Sequence, residues 1–418
     1  MYDRYFVEKR GWQAFMNQKE DHYPCSGTKG CSGTICMKAL YSFSGLEQAV
    51  DMDEQSSTQE DVFQSEKDLY SVCSEHQLAI KANSLSEMLS LVELVEMGTF
   101  SREEALLSIN AECIRDVVGD SLYSNRMNHE LTPPQKLLLW SDQVRSMRIF
   151  AGGTTPEDVW IGKLMGAHGL GLVRCEELLK VEYLKDIIPS DLIGAEEISV
   201  SLQRRLLCLL QEQWESIFYG LQGAPATVSL MPSSSSIYCS YPPDGIQDIM
   251  LEALFRAMRG CVEQGTECTV DLLVNRPASV EQFADTVHWI EQVAEQTLGH
   301  MSRSIKYRVG ALVPRNIQSS VAGDLARCTH LLVVEWGESD VTSSSSGDVM
   351  NMGIFHHIRQ IHPSIHMRAV GHVTSTDLPV IYTLGIDEIS CAPQEVPTIR
   401  IAAAQLELME KALVGFHL

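Results

Sequence analysis

The chain is 418 residues long, 44% hydrophobic and 21% charged, which is ordinary for a globular protein with a sizeable core in one large domain or in two to three smaller ones. With 55 acidic against 32 basic residues its net charge is −23. That balance argues against nucleic acid and against an anionic membrane surface, and favours other, basic proteins as partners.

Residues 1–70 read as an irregular extension and linker. The start, Met1-Tyr2-Asp3-Arg4-Tyr5-Phe6, lacks the apolar core of a signal peptide, and residues 1–15 have the pattern of a short helix. His22, Cys25, Cys31 and Cys36 follow among glycines and serines. Imidazole and thiolate are zinc ligands, but these cysteines are spaced more widely than the tight knuckle of most zinc sites, so a plain loop is expected. The acidic, polar stretch 51–68 reads as a linker.

Within residues 71–130, the stretch 84–118 reads as a helical hairpin. Ser84-Leu85-Ser86-Glu87 caps a helix whose apolar face is Met88, Leu91, Val92 and Val95, and Gly98 ends it. Ser101-Arg102-Glu103-Glu104 caps the next helix, which carries Ala105, Leu106 and Ile109. Thr132-Pro133-Pro134 reads as a joint, beyond which a second domain spans 131–418.

From Leu137 onward, short apolar runs alternate with amphipathic helices. Strands are predicted at 147–150, 170–173, 226–231, 269–274, 307–313, 330–335, 366–370 and 388–391. Helices are predicted from Thr155-Pro156-Glu157-Asp158, where a cap, a proline and two acids coincide, and then at 201–219, 245–264, 279–298, 319–326, 348–361, 378–384 and 398–414. Runs that are apolar throughout rather than alternating point to parallel strands covered on both faces. The expected fold is α/β, a (β/α)8 TIM-type barrel with an N-terminal helical extension; a doubly wound sheet is the alternative.

The stretch Met165 to Leu178 reads as a helix end, a glycine turn, a buried strand and then a charged cluster. Arg174 stands at the C-terminal end of that strand, where a barrel displays its working groups. An arginine there can grip a carboxylate or phosphate through two parallel hydrogen bonds. The plainer reading pairs it with Glu176 or Glu177 on a loop. His356, His357 and His362 read as surface or packing residues, and Trp160, Trp214 and Trp289 as core or interface residues on helices. The serine runs 233–236 and 343–346 read as loops. The twelve cysteines, Cys208, Cys239, Cys328 and Cys391 among them, read as reduced, buried thiols of a reducing compartment. No apolar run is long enough to span a membrane and the final residues, Gly415-Phe416-His417-Leu418, are not a peroxisomal address. The expected location is the cytoplasm, with the cytoskeleton as one setting there.

Three stretches carry a resemblance to the pyruvate phosphate dikinase family of PEP-utilising enzymes. The segment from Gly385-Ile386-Asp387-Glu388-Ile389-Ser390-Cys391-Ala392-Pro393 through Gln405 resembles that family's last barrel unit. Thr155-Pro156-Glu157-Asp158 through Gly169-Leu170-Gly171-Leu172-Val173-Arg174 resembles its first. Glu96-Met97-Gly98-Thr99-Phe100-Ser101-Arg102-Glu103-Glu104-Ala105-Leu106-Leu107 resembles the segment after its ATP-grasp domain. The likeness is collinear over roughly 78–118 and 131–414, and no stretch of the chain resembles the ATP-grasp or phosphohistidine domains.

The resemblance implies a C-terminal PEP/pyruvate-binding barrel. It also assigns positions. Arg174 matches the first substrate-binding arginine. Ser229 stands where a second arginine belongs, and Pro232 where an aspartate follows. Pro314 stands at a metal-binding glutamate, and no nearby glutamate in the sequence takes its place. Asp340 matches the metal-binding aspartate, with Ser339 in place of its asparagine neighbour. Val370 replaces the catalytic cysteine and His372 a glutamate. One carboxylate holds Mg²⁺ poorly, and valine has no proton to give. The expected function is therefore a dikinase-like pseudoenzyme, a scaffold component of a protein assembly and a homodimer through its barrel, with no cofactor and with Arg174, Ser339 and Asp340 as vestigial binding residues. The alternative is a residual phosphoenolpyruvate or pyruvate sensor or phosphotransferase, in which Mg²⁺ would be retained.

Overall fold

The computed structural model describes residues 81–124, 131–180, 199–231, 245–337 and 352–416. The expectations for His22, Cys25, Cys31, Cys36, the acidic stretch 51–68, Cys239 and both serine runs lie outside the described residues.

Among the described residues, four helices precede the sheet: α1 (Leu85–Glu96), α2 (Arg102–Leu107), α3 (Ala111–Ser124) and α4 (Pro133–Val144). The strands are β1 (Arg148–Gly152), β2 (Leu170–Arg174), β3 (Ala226–Ser229), β4 (Thr269–Asn275), β5 (Lys306–Pro314), β6 (Leu331–Trp336), β7 (His366–Gly371) and β8 (Glu388–Cys391). Between and after them run α5 (Pro156–Leu164), α6 (Cys175–Leu178), α7 (Val200–Leu221), α8 (Ile246–Glu263), α9 (Val280–Leu298), α10 (Ser319–Cys328), α11 (Met352–Ile361), α12 (Leu378–Thr383) and α13 (Val396–Phe416).

All eight strands pair in parallel in chain order, and β8 returns to β1, with Ile149 opposite Ile389 and Ala151 opposite Cys391. This closes the barrel and removes the doubly wound alternative, which would leave two open edges. The outer faces of the strands and the inner faces of the helices form the main core, in which Trp214, Phe255 and Phe355 are fully buried.

Local chemistry explains the elements. At α5, Thr155 Oγ1 accepts from the Asp158 N–H at 3.1 Å, and the Asp158 carboxylate accepts from the Thr155 N–H at 3.0 Å. Pro156 occupies a first-turn position whose missing N–H has no intrahelical acceptor. Replacing Thr155 by alanine is expected to cost about 1 kcal/mol, read as a lower urea midpoint with an unchanged slope.

Two sequence expectations change. The hairpin is three helices, not two. Ala82 donates to the Ser108 carbonyl at 2.8 Å and accepts from the Asn110 N–H at 3.0 Å, so a short bridge breaks the helix that would otherwise run on through Ile109. The joint at Thr132-Pro133-Pro134 is the capped start of α4: Thr132 N–H donates to Gln135 Oε1 at 2.8 Å and Pro134, Leu137, Leu138 and Trp140 are buried.

The extension packs onto α13. Gln405 Nε2 donates to the Leu106 and Ile109 carbonyls at 2.7 and 2.8 Å, and Arg115 pairs with Glu395 at 2.6 Å. Arg400 joins α13 to α4, donating to Asp142 at 3.0 Å and to the Leu138 carbonyl at 3.2 Å. Among the named tryptophans, Trp214 is core, Trp289 half-buried and Trp160 exposed. His356 and His357 are exposed on α11 and His362 is half-buried. Cys391 is buried, and burial together with nearby Glu395 pushes its thiol up. Cys208 and Cys328, expected to be buried, are exposed instead, because each falls on the outer face of its helix. No helix among the described residues is long and apolar enough to cross a membrane.

Candidate functional site

Side chains alternate across a strand, so each barrel strand sends every second residue inward. On β6, Leu332, Val334 and Trp336 belong to the outer core, whereas Leu331 and Val333 face in, and Glu335 follows them inward. The inward residues make three layers.

The lowest layer is ionic. Arg368 and Glu388 are 2% and 1% exposed, and Arg368 Nε donates to Glu388 Oε2 at 2.8 Å. Arg368 Nη1 also donates to the Gly171 carbonyl at 3.1 Å and to Thr227 Oγ1, and its guanidinium lies 3.8 Å from the Phe150 ring centre. Arg148 reaches the other oxygen of Glu388, and Arg308 grips Asp271 through two bonds of 2.8 and 3.1 Å. Burial pushes the Arg368 guanidinium down to about 10, against the opposing pull of Asp271. The middle layer is apolar: Leu172, Leu273, Leu312, Leu331, Val333 and Val370 form a cluster separate from the main core.

The upper layer is the mouth, and Glu335 is its centre. The carboxylate is 5% exposed. Its Oε1 accepts from Arg174 Nη2 at 2.9 Å, and its Oε2 accepts from Arg276 Nε at 2.6 Å and Nη2 at 2.5 Å. Arg276 follows β4 with φ +45°, a region in which a residue with a side chain costs about 1–3 kcal/mol. Its N–H donates to the Leu312 carbonyl at 2.8 Å, which holds that backbone in place. Arg315 stacks on the Trp336 ring at 4.3 Å. Burial raises the Asp377 carboxyl, but bonds from Thr374 and Trp336 and the charge of Arg315 outweigh it, so Asp377 stays below its ordinary value.

Arg174 is therefore at a strand top, as expected; it is bonded to Glu335 on a distant strand. Glu176 is partly buried, which pushes its carboxyl up, while the charge of Arg174 also draws it down, and its Oε2 has no hydrogen-bond partner among the described residues. Ser229 is fully buried beside Arg174 in the sheet register, with its hydroxyl likewise unpartnered among the described residues. Pro314 pairs with Glu335 across β5 and β6. A glutamate stands next to Pro314 in space, because the neighbouring strand supplies it. Val370 is 1% exposed in the middle layer and His372 is exposed beside Gly337. Pro232, Ser339 and Asp340 lie outside the described residues.

Over 403 residues the chain is 23% identical to the chloroplastic pyruvate, phosphate dikinase 1 of Zea mays, a match covering 75% of this chain and 41% of that protein. Its curated relatives are pyruvate phosphate dikinases. The chloroplastic dikinase 1 of Oryza sativa subsp. japonica is 22% identical over 390 residues, covering 72% of this chain and 40% of the relative. The chain thus spans about 41% of the length of the dikinases it matches. Among solved structures, 2,3-dimethylmalate lyase, a PEP mutase/isocitrate lyase superfamily member, covers 68% of this chain and 86% of its own at 10% identity and a TM-score of 0.34. No family model matches the chain.

A dikinase-type barrel implies Mg²⁺, which needs several converging oxygens. Among the described residues no group of three or more His, Cys, Asp or Glu side chains is placed to hold a metal. Glu335 carries two guanidinium groups and Pro314 offers no side-chain donor, so the described residues do not fit the ion. Sequence reading missed Glu335 as a site residue. Its one signal is a lone acid at the end of the apolar run Leu331 to Val334.

Proposed function

We propose that the chain is a dikinase-like pseudoenzyme, a barrel kept as a structural component of a protein assembly in the cytoplasm. The observation that carries this reading is the Arg174–Glu335 pair at 2.9 Å: the arginine placed to receive a substrate anion is engaged by the protein's own carboxylate. Two further features support it. Pro314 and Val370 stand where the dikinase resemblance places a metal-binding glutamate and a catalytic cysteine, and neither can bind a cation or transfer a proton. Its partners are other proteins, a second copy of the barrel among them, and Ser339 and Asp340 are relics of the family's site.

The test is a titration of the full chain with phosphoenolpyruvate and Mg²⁺, followed by melting temperature. A ligand at 100 times Kd adds about 2.7 kcal/mol. For a barrel of this size that is a rise of several degrees. No shift is expected. A shift that disappears in Arg174→Ala would overturn the pseudoenzyme reading in favour of a sensor or residual enzyme that holds a small acid.

A further inference from the structure

Glu335 does more than fill space in the mouth. Three features set it apart from an ordinary ion pair. Both of its oxygens are taken by guanidinium groups from different parts of the barrel, Arg174 at 2.9 Å from the end of β2 and Arg276 at 2.6 Å from the residue after β4. The acceptor is nearly buried, whereas the side chains that hold it are 18% and 54% exposed, so the cations face the mouth and the anion sits behind them. Arg276 holds a backbone conformation that favours glycine, and its side chain lies on Glu335. Two arginines converging on one two-oxygen acceptor is how proteins recognise small carboxylates and phosphates. Here that acceptor is part of the chain.

We propose that Glu335 is a built-in occupant of an oxyanion site, an internal carboxylate that shuts small carboxylate and phosphate ligands out of the grip of Arg174 and Arg276. The inference rests on the reading of the mouth given under the proposed function and adds its cause. A tethered carboxylate competes at a high effective concentration and never diffuses away, so a free anion starts at a disadvantage of about 100-fold or more. A second anion entering beside Glu335 also meets like charge at close range. Removing the Glu335 charge takes from Arg174 and Arg276 the carboxylate that bridges them, in an otherwise acidic protein.

A purely structural pair makes a different prediction: its loss would lower stability and create no binding. The discriminating experiment is calorimetric titration of the full chain with phosphoenolpyruvate and, separately, inorganic phosphate. The proteins compared are wild type, Glu335→Ala, Glu335→Gln and the double variant Arg174→Ala with Glu335→Ala. Wild type is expected to be silent in the millimolar range. Glu335→Ala is expected to bind at least about 100-fold more tightly, and the double variant to lose that gain. Glu335→Gln keeps the side chain's shape and one acceptor oxygen; it is expected to gain less, and it decides the matter should the alanine variant not melt cooperatively. Variants that bind no better than a silent wild type would overturn the occupant but leave the pseudoenzyme reading standing. A wild type that already binds as tightly as the variants, through Arg174, would overturn both.

Discussion

Replacing Glu388 by alanine is expected to cost the protein about 3–5 kcal/mol. The residue is 1% exposed and its partner Arg368 2% exposed, so the substitution leaves a buried guanidinium without its directly bonded carboxylate, with only the longer-range pull of Asp271 and Asp387 to answer it. The direct contacts left to Arg368 are the Gly171 carbonyl, the Thr227 hydroxyl and the face of Phe150, all neutral. Arg148 loses its acceptor at the same stroke. Chemical denaturation should show the loss as a lower midpoint, with reduced soluble yield. The double variant Arg368→Met with Glu388→Leu should recover most of it, because a buried pair carries its desolvation cost only while the charges are present. A single-variant loss below about 1 kcal/mol would mean that water reaches the lowest layer and that the pair is effectively at the surface.

The second large effect lies at the other end of β7. Gly371 has φ +119°, and a Cβ placed on it would lie 2.2 Å from the Trp336 carbonyl oxygen on the adjoining strand. That oxygen is backbone and cannot swing away. Gly371→Ala combines a backbone conformation costing about 1–3 kcal/mol with overpacking of similar size, so about 3 kcal/mol or more is expected. Gly98→Ala is the natural control. Its φ is +75°, and nothing lies within 4 Å of the added atom. Its loss should be about 1 kcal/mol, the conformational part alone. Equal losses for the two variants, compared by urea denaturation, would rule out the clash.

The barrel was legible because its strands are buried on both faces and its helices announce their starts. Runs such as Leu331 to Val334 cannot be solvent-facing strands, and Thr155 and Asp158 mark a helix start within four residues. The α4 start was missed because two prolines after Thr132 look like a break, although proline suits a first turn. The ionic layer was missed for a different reason. Arg368 pairs with Glu388 and Arg308 with Asp271 only once neighbouring strands take their register, and single charges inside apolar strands carry no sign of which way they point. The mouth shows the same limit more sharply. Arg174 and Glu335 are 161 residues apart in the chain, and only barrel closure brings β2 and β6 to face one lumen. Local sequence offered Arg174 the acids at 176 and 177, and nothing short of the closed barrel would have chosen the distant one.

The apolar middle layer has a consequence for how such a protein can change over time. It separates the charges that hold the barrel together from those that line its opening, as an insulating band would. Substitutions among Arg174, Arg276 and Glu335 are expected to leave the surroundings of Arg368 and Glu388 unchanged, because the leucines and valines between them belong to neither set. The opening is thus free to drift in chemistry while the scaffold beneath keeps its stability. A barrel insulated in this way can lose one occupation and take up another without first having to refold.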